Sequence, residues 1–249
     1  MNLLIDLGNS AIKWAWSQDH KLEFKGSSAT PGGEFKEQLK QAWETQPKPS
    51  QVVYCAVADQ AMVEQIEALV DELWQLKARR LIPQAHAFGL HCHYHQPRQL
   101  GADRWAAMIG AYTQNQHALC VVDCGTAVTI DALTADGQHQ GGLIIPGEML
   151  MRRVLGERTG GIGEVHDGNI NLASVDTQGA VSTGCMLAVA AFIDRAIRSY
   201  QDVIADALQV YITGGDATKL LPHLKSKPQP QLKPDLVLLG LAEFAEQQA

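Results

Sequence analysis

Twice in this chain an apolar run ends on aspartate, a variable residue and glycine: NLLIDLG at 2 to 8 and ALCVVDCG at 118 to 125. Asp6 and Asp123 lie 117 positions apart, close to half of the 249 residues. A continuous apolar run of this length reads as a buried strand, and Asp-x-Gly after it reads as a turn. The repetition constrains the fold more than either run alone. A chain that repeats its strand-and-turn pattern at half its length is expected to build two similar units.

The flanking patterns agree. After the first run, SAIKWAWSQ and KLEFKGSS read as strands joined at Asp19-His20. GEFKEQLKQAWETQ then places Phe35, Leu39 and Trp43 at helical spacing. QVVYCAVA reads as a buried strand, and DQAMVEQIEALVDELWQL as an amphipathic helix capped by Asp59. A loop-rich stretch leads to HYHQPRQLGADR, and DRWAAMIGAYTQNQ reads as a helix. The second half repeats the order. TAVTIDALTADG and QHQGGLIIPG read as strands about an Asp136-Gly137 hairpin signal. GEMLMRRVLGERTG and GAVSTGCMLAVAAFIDRAIRSYQDVI read as helices, LQVYITGG as a strand, and DATKLLPHL and LVLLGLAEFAEQQ as closing helices. The predicted division is an N-terminal α/β domain over 1–116 and a C-terminal one over 117–249. Ligands of such folds sit at strand ends, so a cleft between facing domains would gather both turns.

Composition narrows the function. The net charge is −7, which disfavours general binding to nucleic acid or an anionic membrane. No basic leader precedes a long apolar run, and no stretch approaches about 18 consecutive apolar residues, so a cytoplasmic location is expected. The five scattered cysteines fit reduced thiols better than a disulfide framework, and there is no CxxC pair for zinc.

Each turn has a chemistry. Glycine lets a backbone N–H approach a phosphate oxygen. Asn9, Ser10, Thr126 and Thr129 add short donors, and Lys13 adds positive charge. Asp6 and Asp123 are carboxylates suited to hard cations. Together these suit phosphoryl transfer from a nucleotide, which is mostly positioning and neutralisation of charge. One Asp-x-Gly is ordinary turn chemistry, so the argument rests on the pair. ITGGDA, 212 to 217, ends a strand on Gly214 and Gly215, where a nucleoside could approach without side-chain obstruction; an ordinary strand-to-helix turn with Asp216 as cap is the alternative. No Gly-Lys dipeptide occurs, so there is no Walker loop, and GGIGEV lacks dinucleotide-fingerprint spacing. TGGIG reads as a mobile loop able to close over a ligand. His91, His93 and His95 would share one face of a strand, but no partner at typical spacing completes a metal site; a polar edge or loop is the better reading.

The set D-x-G-N-S-x-x-K at 6 to 13, G-A-D-R at 101 to 104, D-x-G-T-A-x-T at 123 to 129 and the glycines at 214 and 215 resembles the type III pantothenate kinases. These belong with acetate and sugar kinases, heat-shock ATPases and actin. The resemblance implies an α/β fold of two similar ribonuclease H-like (actin-like ATPase) domains facing across a central cleft. It implies ATP-dependent phosphorylation of pantothenate, the first step toward coenzyme A, with Mg²⁺ and a monovalent cation, K⁺ or NH₄⁺. Residues 6 to 13 (Asp6, Leu7, Gly8, Asn9, Ser10 and Lys13) would then meet the ATP phosphates and Mg²⁺, Asp6 through water. Asp103 would accept the proton of the attacking hydroxyl. Asp123 would hold the monovalent cation, and Thr126, Gly214 and Gly215 would contact the nucleotide. Tyr94, Gly101, Ala102, Asp103, Arg104 and Thr177 would line the pantothenate pocket, completed across a homodimer interface near Thr177. Two positions depart from the family's commoner residues: Ser10 for threonine, which keeps the hydroxyl, and Asp176 for asparagine. By the residues alone, Asp103 could cap its helix or act as a base, Arg104 could fork onto a carboxylate, and Thr177 could cap a helix. The rival readings are a transcription accessory or regulatory protein on the same fold, and another small-molecule kinase of the superfamily.

Overall fold

The computed structural model describes residues 1–30, 35–168, 170–204 and 207–247. It divides into two compact units: Met1–Gln116 with Asp235–Ala249, and His117–Pro234.

The first unit opens with β1 (Asn2–Leu7), β2 (Ala11–Gln18) and β3 (Lys21–Ala29). Helix α1 (Phe35–Glu44) leads to β4 (Gln51–Ala56), α2 (Gln60–Trp74) and β5 (Arg79–Arg80). A small hairpin of β6 (His86–Ala87) and β7 (Leu90–His91) precedes α3 (Ala102–Tyr112). The sheet order is β3-β2-β1-β4-β5. Strands β1, β2 and β3 are antiparallel neighbours, whereas β4 and β5 run parallel to β1. Asp19 and His20 both take positive φ at the β2–β3 turn, as a two-residue hairpin with right-handed strand twist requires.

The second unit repeats that topology. Strands β8 (Leu119–Cys124), β9 (Ala127–Leu133) and β10 (His139–Pro146) are followed by α4 (Glu148–Arg158) and α5 (Thr177–Ile204). Then come β11 (Gln209–Thr213), α6 (Ala217–Leu220) and β12 (Gln231–Leu232). The order is β10-β9-β8-β11-β12, with the same parallel and antiparallel senses as the first sheet.

Both central strands are buried except at their aspartate. In β1, Leu3, Ile5 and Leu7 point into an apolar cluster with Leu39, Trp43, Ile66 and Trp74 of α1 and α2. The period of two sends Asn2, Leu4 and Asp6 to the other face. There Asn2 donates to Glu246 of α7 (Leu236–Glu246) at 3.3 Å. In the second unit α5 covers β8 through Met186, Val189, Ile193 and Ile197. By length and composition α5 could cross a membrane, but half of its most apolar window is buried in this core.

The last helix departs from the expected division, which ran the second domain to residue 249. Helix α7 belongs to the first unit. It crosses α3 with backbones in contact: a β-carbon on Gly240 would stand 1.9 Å from Ala106 O, and one on Gly110 2.2 Å from Leu236 O. The sequence pattern marks such a helix as apolar but does not name its partner. Gly33 and Glu34, which begin the predicted first helix, and Gln248, which ends the predicted last one, lie outside the described residues.

Candidate active site

In the first hairpin Asp6 and Lys13 are direct cross-strand partners, so their side chains leave the same face of the sheet. Gly8 N donates to Ala11 O at 3.1 Å and closes the turn. A β-carbon there would stand 2.9 Å from that same oxygen. Asn9 and Ser10 occupy the exposed tip. The tip is tied down by Thr30, a buried residue for which the sequence offers no signal. Its hydroxyl donates to Asn9 O at 2.9 Å and its N–H to Ser10 O at 3.1 Å. Leu7 is fully buried in the apolar cluster, so it can offer a ligand only its backbone.

On the other side of β1, Cys55 of β4 stands in register with Asp6, and its thiol donates to Asp6 Oδ1 at 3.6 Å. Burial, reinforced by the charges of Asp6 and Asp103, pushes the Cys55 thiol well above the ordinary thiol range.

Helix α3 begins one residue earlier than its sequence pattern suggests, and its N-cap is Gly101. Asp103 thus lies within the first turn rather than capping it; its Oδ1 accepts from Arg104 N at 2.7 Å. Arg104 is buried. Its guanidinium donates to Tyr94 OH at 3.0 Å and lies 5.7 Å from the Tyr94 ring centroid. Ala102 is buried, so its contribution is to packing. Tyr94, Gly101, Asp103 and Arg104 are thus brought together at one helix start.

The second hairpin pairs Asp123 with Thr129 as the first pairs Asp6 with Lys13. Gly125 N donates to Ala127 O at 3.0 Å, and Thr126 O accepts from Gly147 N at 2.9 Å. Gly214 has a φ of +93°, and a β-carbon there would stand 2.4 Å from Asp123 Oδ1 and 2.2 Å from Cys124 O. Gly215 is exposed, with open space where its β-carbon would be. The two glycines therefore differ: Gly214 lets β11 close against the hairpin, and Gly215 presents bare backbone. Asp216 N donates to Cys124 O at 2.9 Å, and the Asp216 side chain makes no cap hydrogen bond, contrary to the capping expectation. Burial pushes its carboxyl up, partly offset by Lys219.

Thr177 is the first residue of α5 and is exposed. The cap is Asp176, whose Oδ1 accepts from Gly179 N at 2.7 Å. Asparagine and aspartate cap equally well, which accounts locally for Asp176. The second unit also holds a charge network that the sequence does not signal. Glu148 and Arg152, both buried, pair across one turn of α4, and Lys219 Nζ donates to Glu148 Oε2 at 3.0 Å. Lys219 also pairs with Asp167, holding that carboxyl below its usual range. Of the histidine cluster only His91 is in a strand; it faces His86 across the β6–β7 hairpin with ring centroids 4.5 Å apart. All five cysteines are free.

Among the described residues no group of three or more histidine, cysteine, aspartate or glutamate side chains could hold a metal ion. A magnesium ion shared with phosphates fits this donor set, because such an ion takes one or two carboxylates and keeps its other positions for phosphate and water. Asp6, at a strand end among donors, suits that role.

The family model of type III pantothenate kinase matches residues 2–199. The type III pantothenate kinase of Nitrosococcus oceani is 36% identical over 252 residues, covering 99% of this chain and 94% of its own. The chain belongs to the type III pantothenate kinase family. Solved structures agree on the fold. A candidate transcriptional activator of the Baf family from Campylobacter jejuni aligns with a TM-score of 0.60 at 21% identity, over 98% of each chain. A ROK family glucokinase from Streptomyces griseus, in complex with glucose and AMPPNP, aligns with a TM-score of 0.57 at 11% identity, over 99% of each. At these identities the likeness is one of fold alone: two α/β units of the actin-like ATPase type. The residues that carry the sequence resemblance lie at the end of β1, the start of α3, the end of β8 and the end of β11.

Proposed function

We propose that the protein transfers the terminal phosphoryl group of ATP to the terminal hydroxyl of pantothenate, forming 4'-phosphopantothenate, the first step toward coenzyme A. The observation that carries this reading is the group at the start of α3, in the same unit as the Asp6 hairpin. Asp103 is fixed by the Arg104 N–H, and Arg104 is fixed against Tyr94. An acid beside an arginine suits an acceptor that has a hydroxyl at one end and a carboxylate at the other.

Asp103 orients the hydroxyl and accepts its proton as the oxygen–phosphorus bond forms and ADP leaves. In a loose transition state that proton leaves late, so orientation is the larger part of the role. Arg104, with Tyr94, Gly101 and Ala102 around it, receives the pantothenate carboxylate. Gly8, Asn9, Ser10 and Lys13 meet the phosphates in the first hairpin and Thr126 in the second, while Gly214 and Gly215 adjoin the nucleoside. Magnesium, when bound, neutralises phosphate charge; Asp6 would hold it through water, and Asp123 would hold K⁺ or NH₄⁺. A homodimer completes the pantothenate pocket near Thr177. Exposed Leu143, Ile144, Met149 and Val154 on β10 and α4, with Leu172 and Val175 before α5, support such an interface. The enzyme works in the cytoplasm.

The test is a coupled assay with ATP, Mg²⁺ and K⁺, run on pantothenate beside a panel of sugars and short acids. Turnover of pantothenate alone, depressed when Na⁺ replaces K⁺, is the expected result. Turnover of a sugar instead, or none at all as for a regulator, overturns the reading.

A further inference from the structure

We infer that Cys55 is a positioning residue for Asp6: its thiol fixes the carboxylate at the angle from which the first hairpin meets magnesium and the ATP phosphates. The inference rests on the phosphate-binding reading of that hairpin and extends it to the strand behind.

Three observations carry it. Cys55 and Asp6 are register partners on adjacent parallel strands, with the sulfur 3.6 Å from Asp6 Oδ1. Cys55 is fully buried, so water cannot replace the thiol as donor. Cys55 also lies on the same face of its sheet as Asp6, because Val52, Tyr54 and Ala56 take the other face of β4. Cys120 and Cys124 of β8 instead lie in the apolar cluster of the second unit, on the face away from Asp123.

The internal repeat supplies a fourth, independent observation. In the second unit the register partner of Asp123 on the parallel strand is Thr213, also buried, small and able to donate. Two hairpins of different sequence thus keep the same device: a strand-end aspartate with a small donor beside it. A core position chosen for packing alone would take valine or alanine equally well.

Groups that orient a ligand's direct partners commonly cost ten- to a hundredfold in affinity or activity when removed. A thiol is a weak donor, so the low end applies. The experiment compares Cys55→Ala with Cys55→Ser. These two have nearly equal side-chain volume and differ by the donor. Binding of Mg·ATP is measured by calorimetry without any acceptor, together with the Mg²⁺ concentration for half-maximal turnover and the melting temperature. Cys55→Ala is expected to weaken Mg·ATP binding about tenfold and to raise the Mg²⁺ requirement in step. Cys55→Ser is expected to recover most of both, with a melting temperature close to that of Cys55→Ala. Equal binding by the two variants overturns the proposal, because a role in packing alone would move both alike. Failure of the wild-type protein to phosphorylate pantothenate would sink the acceptor reading and leave the calorimetric comparison, made without any acceptor, intact.

Discussion

A β-carbon on Gly101 would stand 2.6 Å from Oδ1 of Asp103. Gly101 itself has φ −57° and ψ 132°, which any residue can adopt, so the demand for glycine here is one of space. The carboxylate that would receive the acceptor's proton leans back over the residue before the helix, with the Arg104 N–H holding it there. Gly101→Ala should therefore push the Asp103 carboxylate aside and leave the helix in place. The expected loss is about a hundredfold in kcat, the scale of an ångström's misplacement at a reacting group. The melting temperature should change little. Adding Gly101→Ala to an Asp103→Asn protein should cost almost nothing more, and a double-mutant cycle reads that directly.

Asp103→Asn tests the base itself. The amide keeps the shape and loses the proton acceptor, so turnover should fall by about a hundred- to ten-thousandfold. Binding of Mg·ATP should persist, because the phosphate groups are assigned to the hairpins. Calorimetry with ATP beside a turnover assay separates the two; joint loss of both would show that Asp103 holds the nucleotide site together instead.

Much of this was legible in the residues. The paired apolar runs ending at Asp6 and Asp123 announce two central strands, because a strand buried on both faces must be apolar until it reaches its end. The hairpins that follow are short-range and carry their own turn residues. The rest depends on contacts distant in sequence. Strands β5, β6, β7 and β12 have two residues each, too short to show a period. The pattern of α7 shows an apolar helix but not that it packs on α3. Thr30 reads as a loop residue until β3 brings it against the tip of the first hairpin. The Glu148–Lys219 pair spans 71 positions, beyond any motif.

The two glycines after β11 should separate folding from binding. At Gly214 a side chain would need positive φ and would strike backbone at Cys124. Gly214→Ala should destabilise the second unit by about 2 kcal/mol or more, as strained backbone and a buried overlap do. Gly215 has room, so Gly215→Ala should fold normally, and its deficit should appear in the KM for ATP. Thermal melts and ATP titrations of both variants check this; a Gly214→Ala protein as stable as the wild type would contradict it.

Glu148 and Arg152 form a buried pair, and Lys219 adds a second cation. Removing the acid leaves Arg152 buried beside another positive charge. Glu148→Gln should destabilise by about 3 kcal/mol, since breaking a buried pair on one side costs more than replacing both partners. Glu148→Gln combined with Arg152→Met should recover part of the loss. Urea denaturation of the wild type, both single variants and the double variant closes the cycle, and additive losses would mean that the pair contributes no coupling.

Asp216 gives a pH-dependent prediction. Burial raises its carboxyl above the usual carboxylate range, with Lys219 opposing. The folded state therefore holds the proton more tightly than the unfolded chain, whose value is about 3.9. Between the unfolded and folded values the folded state binds more protons, so this group's contribution to stability falls as pH rises through that window. Above the folded value the cost is constant and complete. Asp216→Asn, which cannot ionise, should therefore raise the melting temperature relative to wild type at neutral pH. That advantage should shrink as pH falls through the folded value and vanish below about 3.9. The Asp216 N–H to Cys124 O bond is backbone and survives the change, so the turn after β11 is preserved. Differential scanning calorimetry of both proteins across this range reads the difference, in which shifts common to both cancel. An Asp216→Asn protein less stable than wild type at neutral pH would mean that the ionised carboxylate is held by its cationic neighbour more strongly than burial opposes it.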